Sequence, residues 1–273
     1  MSGKSTRRGL LPALPVVAVL GLLTSGCAQP AAGGEPVAGG APTDRPPVGF
    51  VDPAGPVTSP SAPVRPRPAP ISYPAEGSNR WQTAAAESPA RRGEGEIMRY
   101  RVAVERDIRG IEASAFAAEV TGFLNDPQGW TGGGTLTLRR VGPGQAADFT
   151  IYLATPGTRD GLCGDVPDGY TSCRNGAKVV LNVARWAKGV PRYGAPLATY
   201  REYMVNHEVG HRLGHGHERC PGRGEPAPVM QQQTLGLHGC TANAKPYLDG
   251  EPYRGRSGTY DDPIPPRERG RAG

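Results

Sequence analysis

The chain has 273 residues, with 31 Lys and Arg against 25 Asp and Glu and a formal net charge of +6. Much of the excess comes from scattered Arg, and no basic stripe interleaved with aromatic residues is present, so the composition argues against nucleic-acid binding. Residues 28–80 hold 13 of the 30 Pro and lack periodic apolar positions, so they cannot bury enough surface to offset ordering. We therefore predict a disordered linker over 28–94, one compact domain over 95–248 and a disordered C-terminal tail over 249–273.

An export signal is predicted at the N-terminus. Lys4, Arg7 and Arg8 precede the mostly apolar residues 10–23, a run too short for a comfortable membrane span. Residues 1–27, which end in TSGC, resemble a bacterial lipoprotein signal, and this implies a lipid anchor on Cys27. TRRGLL also resembles a twin-arginine signal, and an uncleaved anchor is the alternative. Each interpretation exports the domain, either to the outer face of the cytoplasmic membrane as a lipoprotein or as a secreted protein.

The five cysteines agree with export. If Cys27 carries lipid, four remain, which is an even number in an oxidising compartment. The sequence permits three pairings of these four. Proximity along the chain favours a Cys163–Cys173 disulfide and a Cys220–Cys240 disulfide.

The folded part alternates between strand and helix periodicity. The predicted elements are, in chain order, a strand at 97–105, a helix at 111–126, strands at 134–141 and 147–155, a hairpin between GYTSC and KVVLNV, and a helix at 196–214. The Asn-Gly pair in RNGA predicts the tight turn of the hairpin, which would place Cys173 near Cys163. This order predicts an α+β domain with a mixed twisted sheet and two main helices.

Four of the five histidines lie in HEVGHRLGHGH, residues 207–217. His207 and His211 are four residues apart, so on the second main helix both imidazoles can point at one Zn²⁺ ion. Glu208 stays within reach of a water on that zinc and can take its proton as the water attacks a carbonyl. The pattern therefore predicts a zinc site with a general base.

The motif continues to a third ligand. Gly214 tolerates left-handed backbone, so it can end the helix and turn the chain sharply. His217 then returns to the zinc, and three protein ligands leave one tetrahedral position for water, as in catalytic zinc sites. His215 misses this spacing, and we expect it to support the site or lie on the surface. Cys220 could hold the site latent as a fourth, thiolate ligand, although the disulfide with Cys240 is favoured.

The run H-E-x-x-H-x-x-G-x-x-H resembles the metzincins, a family of zinc endopeptidases. The resemblance implies that Met230, in PAPVMQQQT, forms a hydrophobic floor beneath the metal; ordinary core packing is the alternative. It also implies that an edge strand from the 168–173 region, or its neighbour, pairs with extended substrate. Some members add a tyrosine ligand two residues after the methionine, where this chain has Gln232. The longer run from HEVGHRLGHGHERC to PVMQQQT is similar to an uncharacterised family of secreted actinobacterial proteins with this motif.

These residues together predict a secreted zinc metallopeptidase that hydrolyses peptide bonds with a zinc-bound water. Its ligands would be His207, His211 and His217, and Glu208 would be the general base. The family resemblance favours protein or peptide substrates, and the location adds cell-wall peptides as a further candidate. The alternative is a non-catalytic cell-envelope lipoprotein with a structural zinc. Glu208 disfavours that alternative, because a purely structural site has no need of a carboxylate there.

Overall fold

The computed structural model describes residues 69–89 and 95–272. The predicted signal segment 1–27 with Cys27, and the predicted linker up to residue 68, lie outside the described residues. The described residues form an α+β fold around a mixed sheet of six strands, which is the predicted fold class.

The elements extend along the chain from residue 81 to residue 257. They are β1 (Trp81–Thr83), β2 (Glu96–Glu105), α1 (Ala113–Leu124), β3 (Leu136–Arg140), β4 (Phe149–Ala154), α2 (Pro156–Cys163), β5 (Cys173–Asn175), β6 (Lys178–Asn182), α3 (Val183–Lys188), α4 (Leu197–Arg212), β7 (Glu218–Arg219), β8 (Tyr247–Leu248), β9 (Glu251–Pro252) and β10 (Arg256–Ser257). Each predicted strand and helix is present, whereas β1, α2, α3 and the short strands β7 to β10 were not predicted. The two long helices are α1 and α4.

The main sheet has the strand order β1-β2-β4-β6-β5, and β3 also pairs with β2. Strands β2, β4 and β6 run parallel, with Val102 opposite Ile151 and Ile151 opposite Val179. Their central residues are buried on both faces, as parallel strands covered by helices require. Strand β5 closes one side of the sheet and pairs antiparallel with β6. Strand β5, which begins at Cys173, is therefore an edge of the sheet, and Cys173 lines the same cleft as the three histidines.

The core fixes α4 against the sheet. Helix α1 buries Phe116, Val120 and Leu124 at four-residue spacing on one face. The Phe116 ring meets the fully buried Trp186 edge to face at 4.7 Å. Helix α4 packs against both α1 and β6, and it buries Met204, Val205 and Val209 among other residues. The helix that carries the histidine motif is therefore held from two sides.

The folded region begins earlier than the predicted boundary at residue 95. Tyr73 is only 3% exposed and belongs to the hydrophobic core, and β1 pairs antiparallel with the end of β2. The contacts that order residues 69–89 are long-range. The segment is rich in Pro and has no apolar periodicity, so its local sequence did not predict that it is ordered. The predicted linker therefore does not extend over residues 69–89.

The C-terminal tail is also ordered, in contrast to the predicted disorder over 249–273. Strand β10 pairs with β7, and the backbone of Arg271 exchanges hydrogen bonds of 2.7 and 2.9 Å with Tyr73. The tail up to residue 272 lies on the domain through backbone pairing and charged side chains, which leave no apolar pattern in the sequence. Residue 273 lies outside the described part.

Two disulfides join Cys163 to Cys173 and Cys220 to Cys240, which confirms the favoured pairing. The first ties the end of α2 to β5, and the second ties the loop after β7 to the segment before β8. Cys220 is therefore not a free thiolate that could ligate a metal. Disulfides are typical of exported proteins, and among the described residues no helix is long and apolar enough to cross a membrane.

Candidate metal centre

The end of α4 positions the histidine motif. His207 and His211 lie on successive turns, and the helix ends at Arg212. Gly214 has a φ of +94°, a backbone conformation that favours glycine. At this turn the N–H of His215 donates to the carbonyl of Gly210 at 2.9 Å. The chain then reverses and brings His217, the residue before β7, back toward the helix.

The three imidazoles converge on one point. Ligand nitrogens of His207, His211 and His217 all lie within 4.8 Å of one another. The Nε2 atoms of His211 and His217 are 3.1 Å apart. Two nitrogens bound to a tetrahedral zinc at about 2.0–2.1 Å would be separated by about 3.3 Å. The three histidines could therefore hold a metal ion with only a small adjustment.

Backbone carbonyls fix the orientation of two of the rings. Nδ1 of His207 lies 2.8 Å from the carbonyl oxygen of Val229, and Nδ1 of His211 lies 2.8 Å from that of His215. A carbonyl only accepts hydrogen bonds, so each Nδ1 carries the proton and each Nε2 presents a lone pair. This tautomer allows each ring to ligate a metal through Nε2 while its Nδ1–H is held by a carbonyl. His215 thus contributes its carbonyl, while its ring stacks on Trp130 at 4.4 Å.

The surroundings keep these imidazoles neutral. Burial, together with the neighbouring His211 and His217, holds the pKa of His207 well below its usual value. Burial, with a smaller contribution from His211, lowers the pKa of His217 to about 4. The pKa of His211 is also lowered, mainly by burial. Because metal ligands must be unprotonated, the cluster is in its metal-binding form near neutral pH.

Glu208 lies in the same cleft as the histidines and is 6% exposed. Burial raises the pKa of its carboxyl group to about 8, against the opposing charges of Arg159 and Arg174. A bound cation would act in the same direction as those arginines and favour the carboxylate. Oε2 of Glu208 is buried and has no hydrogen-bond partner among the described residues. An unpaired buried oxygen is costly, and it is accounted for if the carboxyl group faces a ligand of the cleft.

Met230 packs beneath the helix that carries the ligands. Its side chain is 1% exposed, and a Cβ atom placed on Gly210 would lie 2.4 Å from its Sδ. The carbonyl of Met230 accepts a hydrogen bond from the N–H of Glu218 at 3.1 Å. The preceding residue, Val229, accepts from His207. The Met230 segment therefore joins the helix to the strand that follows the third histidine.

The metal cluster opens into a cleft of about 280 Å³. Its wall on the side of β5 contains Arg159, Asp165, Asp168, Thr171, Ser172 and Cys173. The cleft is also lined by Gln232, Thr234 and Leu235 from the segment after Met230, and by Ile264 from the tail. A second cavity, of about 450 Å³, contains Trp130 and His215 but none of the three convergent histidines.

The sequence did not reveal the charged residues that line the cleft near β5. Arg159 is 1% exposed and forms ion pairs with Asp160 at 2.9 Å, Asp165 at 3.2 Å and Asp168 at 3.4 Å. The acidic run between Cys163 and Cys173 was the available signal, and by itself it did not place these side chains at the cleft. Ile264 was missed because the tail was predicted to be disordered.

The fold and the site define an α+β domain with a three-histidine cluster that could hold a metal ion. A family model described as "Protein of unknown function (DUF3152)" matches residues 67–249, and the chain belongs to this family. The matched range contains the histidine cluster, Glu208, Met230 and both disulfides, and it ends before Ile264. No curated protein and no solved structure matches the chain.

Proposed function

We propose that this protein is an exported zinc-dependent endopeptidase. The observation that carries the proposal is the convergence of His207, His211 and His217 beside the buried Glu208, whose Oε2 has no hydrogen-bond partner among the described residues. The resemblance of the motif to the metzincins supports the same reaction. A site built for structure alone would not need this carboxyl group.

Zinc suits the donor set. Three neutral imidazoles in one cluster are typical zinc ligands, and three protein ligands leave one position open, as in catalytic sites. His207 and His211 are pre-oriented by Val229 and His215, so binding requires little reorganisation of their rings. Zinc bound there would supply Lewis acidity, which lowers the pKa of water and polarises a carbonyl.

Glu208 is the proton carrier of the proposed reaction. Its carboxylate takes one proton from the attacking water as the new C–O bond forms, and it delivers that proton to the leaving nitrogen as the C–N bond breaks. Burial, which raises its pKa, favours the protonated state that the second half of this cycle needs. Met230 and Gly210 contribute indirectly to the proposed reaction, because their packing sets the position of the helix that carries Glu208.

The substrate is proposed to be an extended peptide that lies along the edge strand β5. Cys173 of β5, residues of the segment 232–235 and the three histidines line one cleft, so a peptide bound in it would lie beside the histidine cluster. Proteins are the preferred substrates on the metzincin resemblance. Cell-wall peptides are the second candidate, because the proposed lipid anchor on Cys27 would hold the domain near the cell wall. The two disulfides suit that oxidising location.

The test combines metal analysis with hydrolysis of a mixed peptide library by the purified protein. We expect one equivalent of zinc and cleavage that a chelator abolishes. Glu208→Gln should retain the zinc and lose about 100-fold to 10,000-fold in turnover, as expected for loss of a general base. Glu251→Gln, at an exposed position in β9, is the matched control and should be fully active.

Two results would contradict the proposal. Full activity in Glu208→Gln would rule out the proton-transfer role of this residue. Bound zinc without cleavage of any peptide would instead favour the non-catalytic cell-envelope lipoprotein with a structural zinc.

A further inference from the structure

The C-terminal tail is hydrogen-bonded to two segments that line the metal cleft. We call residues Gly258–Glu268 the strap. At its start the N–H of Gly258 donates to the carbonyl of His217 at 2.9 Å, and at its end the N–H of Glu268 donates to the carbonyl of Gly169 at 3.3 Å. His217 belongs to the metal cluster, and Gly169 lies between Asp168 and Thr171, which line the cleft. The strap therefore connects two segments that line the cleft.

Side chains hold the first end of the strap. The ring of Tyr260 stacks on His238 with centroids 3.5 Å apart. Nε2 of His238 lies within hydrogen-bond distance of the Asp262 carboxylate, at 2.8 Å. One histidine thus anchors two strap residues.

Ion pairs hold the second end. Arg267 contacts the carboxylate of Asp160 on α2. Glu268 contacts the guanidinium of the buried Arg185, and its other oxygen lies 2.7 Å from the ammonium group of Lys188. These contacts with α2 and α3 fix the strap where it leaves the cleft.

Between the anchors the chain reads Pro263-Ile264-Pro265-Pro266. Each proline restricts φ to about −65°, so this stretch has little freedom between two fixed ends. Ile264 is 51% exposed, although it is a large aliphatic residue, and its side chain lines the metal cleft. The structure therefore presents an exposed aliphatic side chain on a rigid support beside the metal cluster.

The strap leaves room in the cleft. The volume of about 280 Å³ lies between its lining residues with the strap in place, close to the lower bound of about 300 Å³ for ligand pockets. Among the described residues that line it, Leu235 and Ile264 are the aliphatic ones, and most others are charged or polar. A peptide side chain that contacts these two residues would bury apolar surface against both of them.

On these grounds we propose that Ile264 determines specificity: with Leu235 it forms a subsite that selects an aliphatic side chain in the substrate residue next to the cleaved bond. This inference rests on the proposed peptidase function. Ile264 lies beyond residues 67–249, the range that the family model matches. The strap is a wall of the site and does not block it.

The test measures kcat/KM of the full chain on pairs of peptides. The two peptides of a pair differ only by Leu or Gly at one position near the cleaved bond. One methylene group in an apolar pocket discriminates by about 10-fold or more. We expect the wild-type protein to prefer Leu over Gly by at least about 10-fold in kcat/KM at one adjacent position. Ile264→Ala should reduce that preference by about 10-fold and leave the Gly peptide unaffected. Leu197→Ala, a partly exposed aliphatic position that does not line the cleft, should leave the preference unchanged.

Two outcomes would overturn the subsite. One is an unchanged preference in Ile264→Ala, and the other is an equal rise in rate on both peptides, which would identify the strap as a plug. If the wild-type protein cleaves nothing, the peptidase proposal fails by itself. In that case, the subsite is tested by comparing the affinities of N-acetyl-leucine hydroxamate and N-acetyl-glycine hydroxamate for the zinc-loaded protein. A preference for the leucine compound that Ile264→Ala removes supports the subsite; equal affinities, or no binding of either, overturn it.

Discussion

Replacing Gly210 by alanine tests whether Met230 and Trp130 brace the helix of the candidate metal centre. Gly210 is the last residue before His211 and is buried in α4. An added Cβ would lie 2.4 Å from Sδ of Met230 and 2.6 Å from Cζ2 of Trp130, both well inside van der Waals contact. Met230 is 1% exposed, and the indole N–H of Trp130 donates to the carbonyl of Asn206 at 2.8 Å. Neither neighbour can move away freely.

Two opposing effects set the magnitude. Alanine is favoured over glycine inside a helix by about 0.5–1 kcal/mol. Overpacking a filled interior costs about 1–3 kcal/mol. We therefore expect Gly210→Ala to lower the free energy of unfolding by up to about 2.5 kcal/mol, measured by urea denaturation of the metal-free protein. Because His207 and His211 flank the strained turn, zinc affinity should also fall.

The chain offers a matched control in Gly122 of α1, where an added Cβ would meet nothing within 4 Å. Gly122→Ala should raise the free energy of unfolding by about 0.5–1 kcal/mol, since only the helix preference acts. If Gly210→Ala were as stable as Gly122→Ala, the packing of Met230 against the helix would not constrain this site, and the reasoning would be wrong.

Two further predictions concern the covalent and ionic supports of the domain. Replacing both Cys220 and Cys240 by serine should destabilise the protein by about 2–4 kcal/mol in thermal unfolding, because the lost disulfide closes a loop of 20 residues; no change would mean that the loop is held by other contacts. Glu268→Ala should destabilise it by about 3–5 kcal/mol, because Arg185, 2% exposed, would be left buried without its carboxylate. Glu251→Ala at an exposed position is the control, and equal stability of the two variants would show that the strap contributes nothing.

Local patterns predicted the elements that hold the candidate site. The strand periodicity of β2 and the helical spacing of α1 are visible within windows of about ten residues, because each buries one regular set of side chains. The motif in α4 specified its own geometry, since residues four apart on a helix share a face and Gly214 supplies the turn that returns His217. Proximity in sequence was also enough for both disulfides.

Helix α2 shows why other parts of the cleft were not predicted. Its sequence, PGTRDGLC, contains two glycines and charged residues and has no apolar stripe. It buries Arg159 and Asp160, which reverses the usual rule that charged residues stay exposed. Their burial depends on partners at Asp165 and Asp168 in the following loop, and on Arg267 in the tail. The sequence of α2 contains no periodic pattern that would predict the burial of these two charged residues.

The strap is the clearest case of structure that local sequence patterns do not predict. Arg267 and Asp160 are 107 residues apart in the chain, and Glu268 and Arg185 are 83 apart. Read locally, the strap is a run of prolines and charges, which is typical of disorder. Each proline already restricts the unfolded chain, so fewer conformations are lost when the strap is fixed, and a few ion pairs suffice to hold it. A composition that suggests a flexible tail can therefore also build a rigid wall, if the rest of the fold offers the matching charges. The histidines that define the chemistry lie within eleven residues, whereas the side chain proposed to select the substrate is positioned by contacts that span the domain.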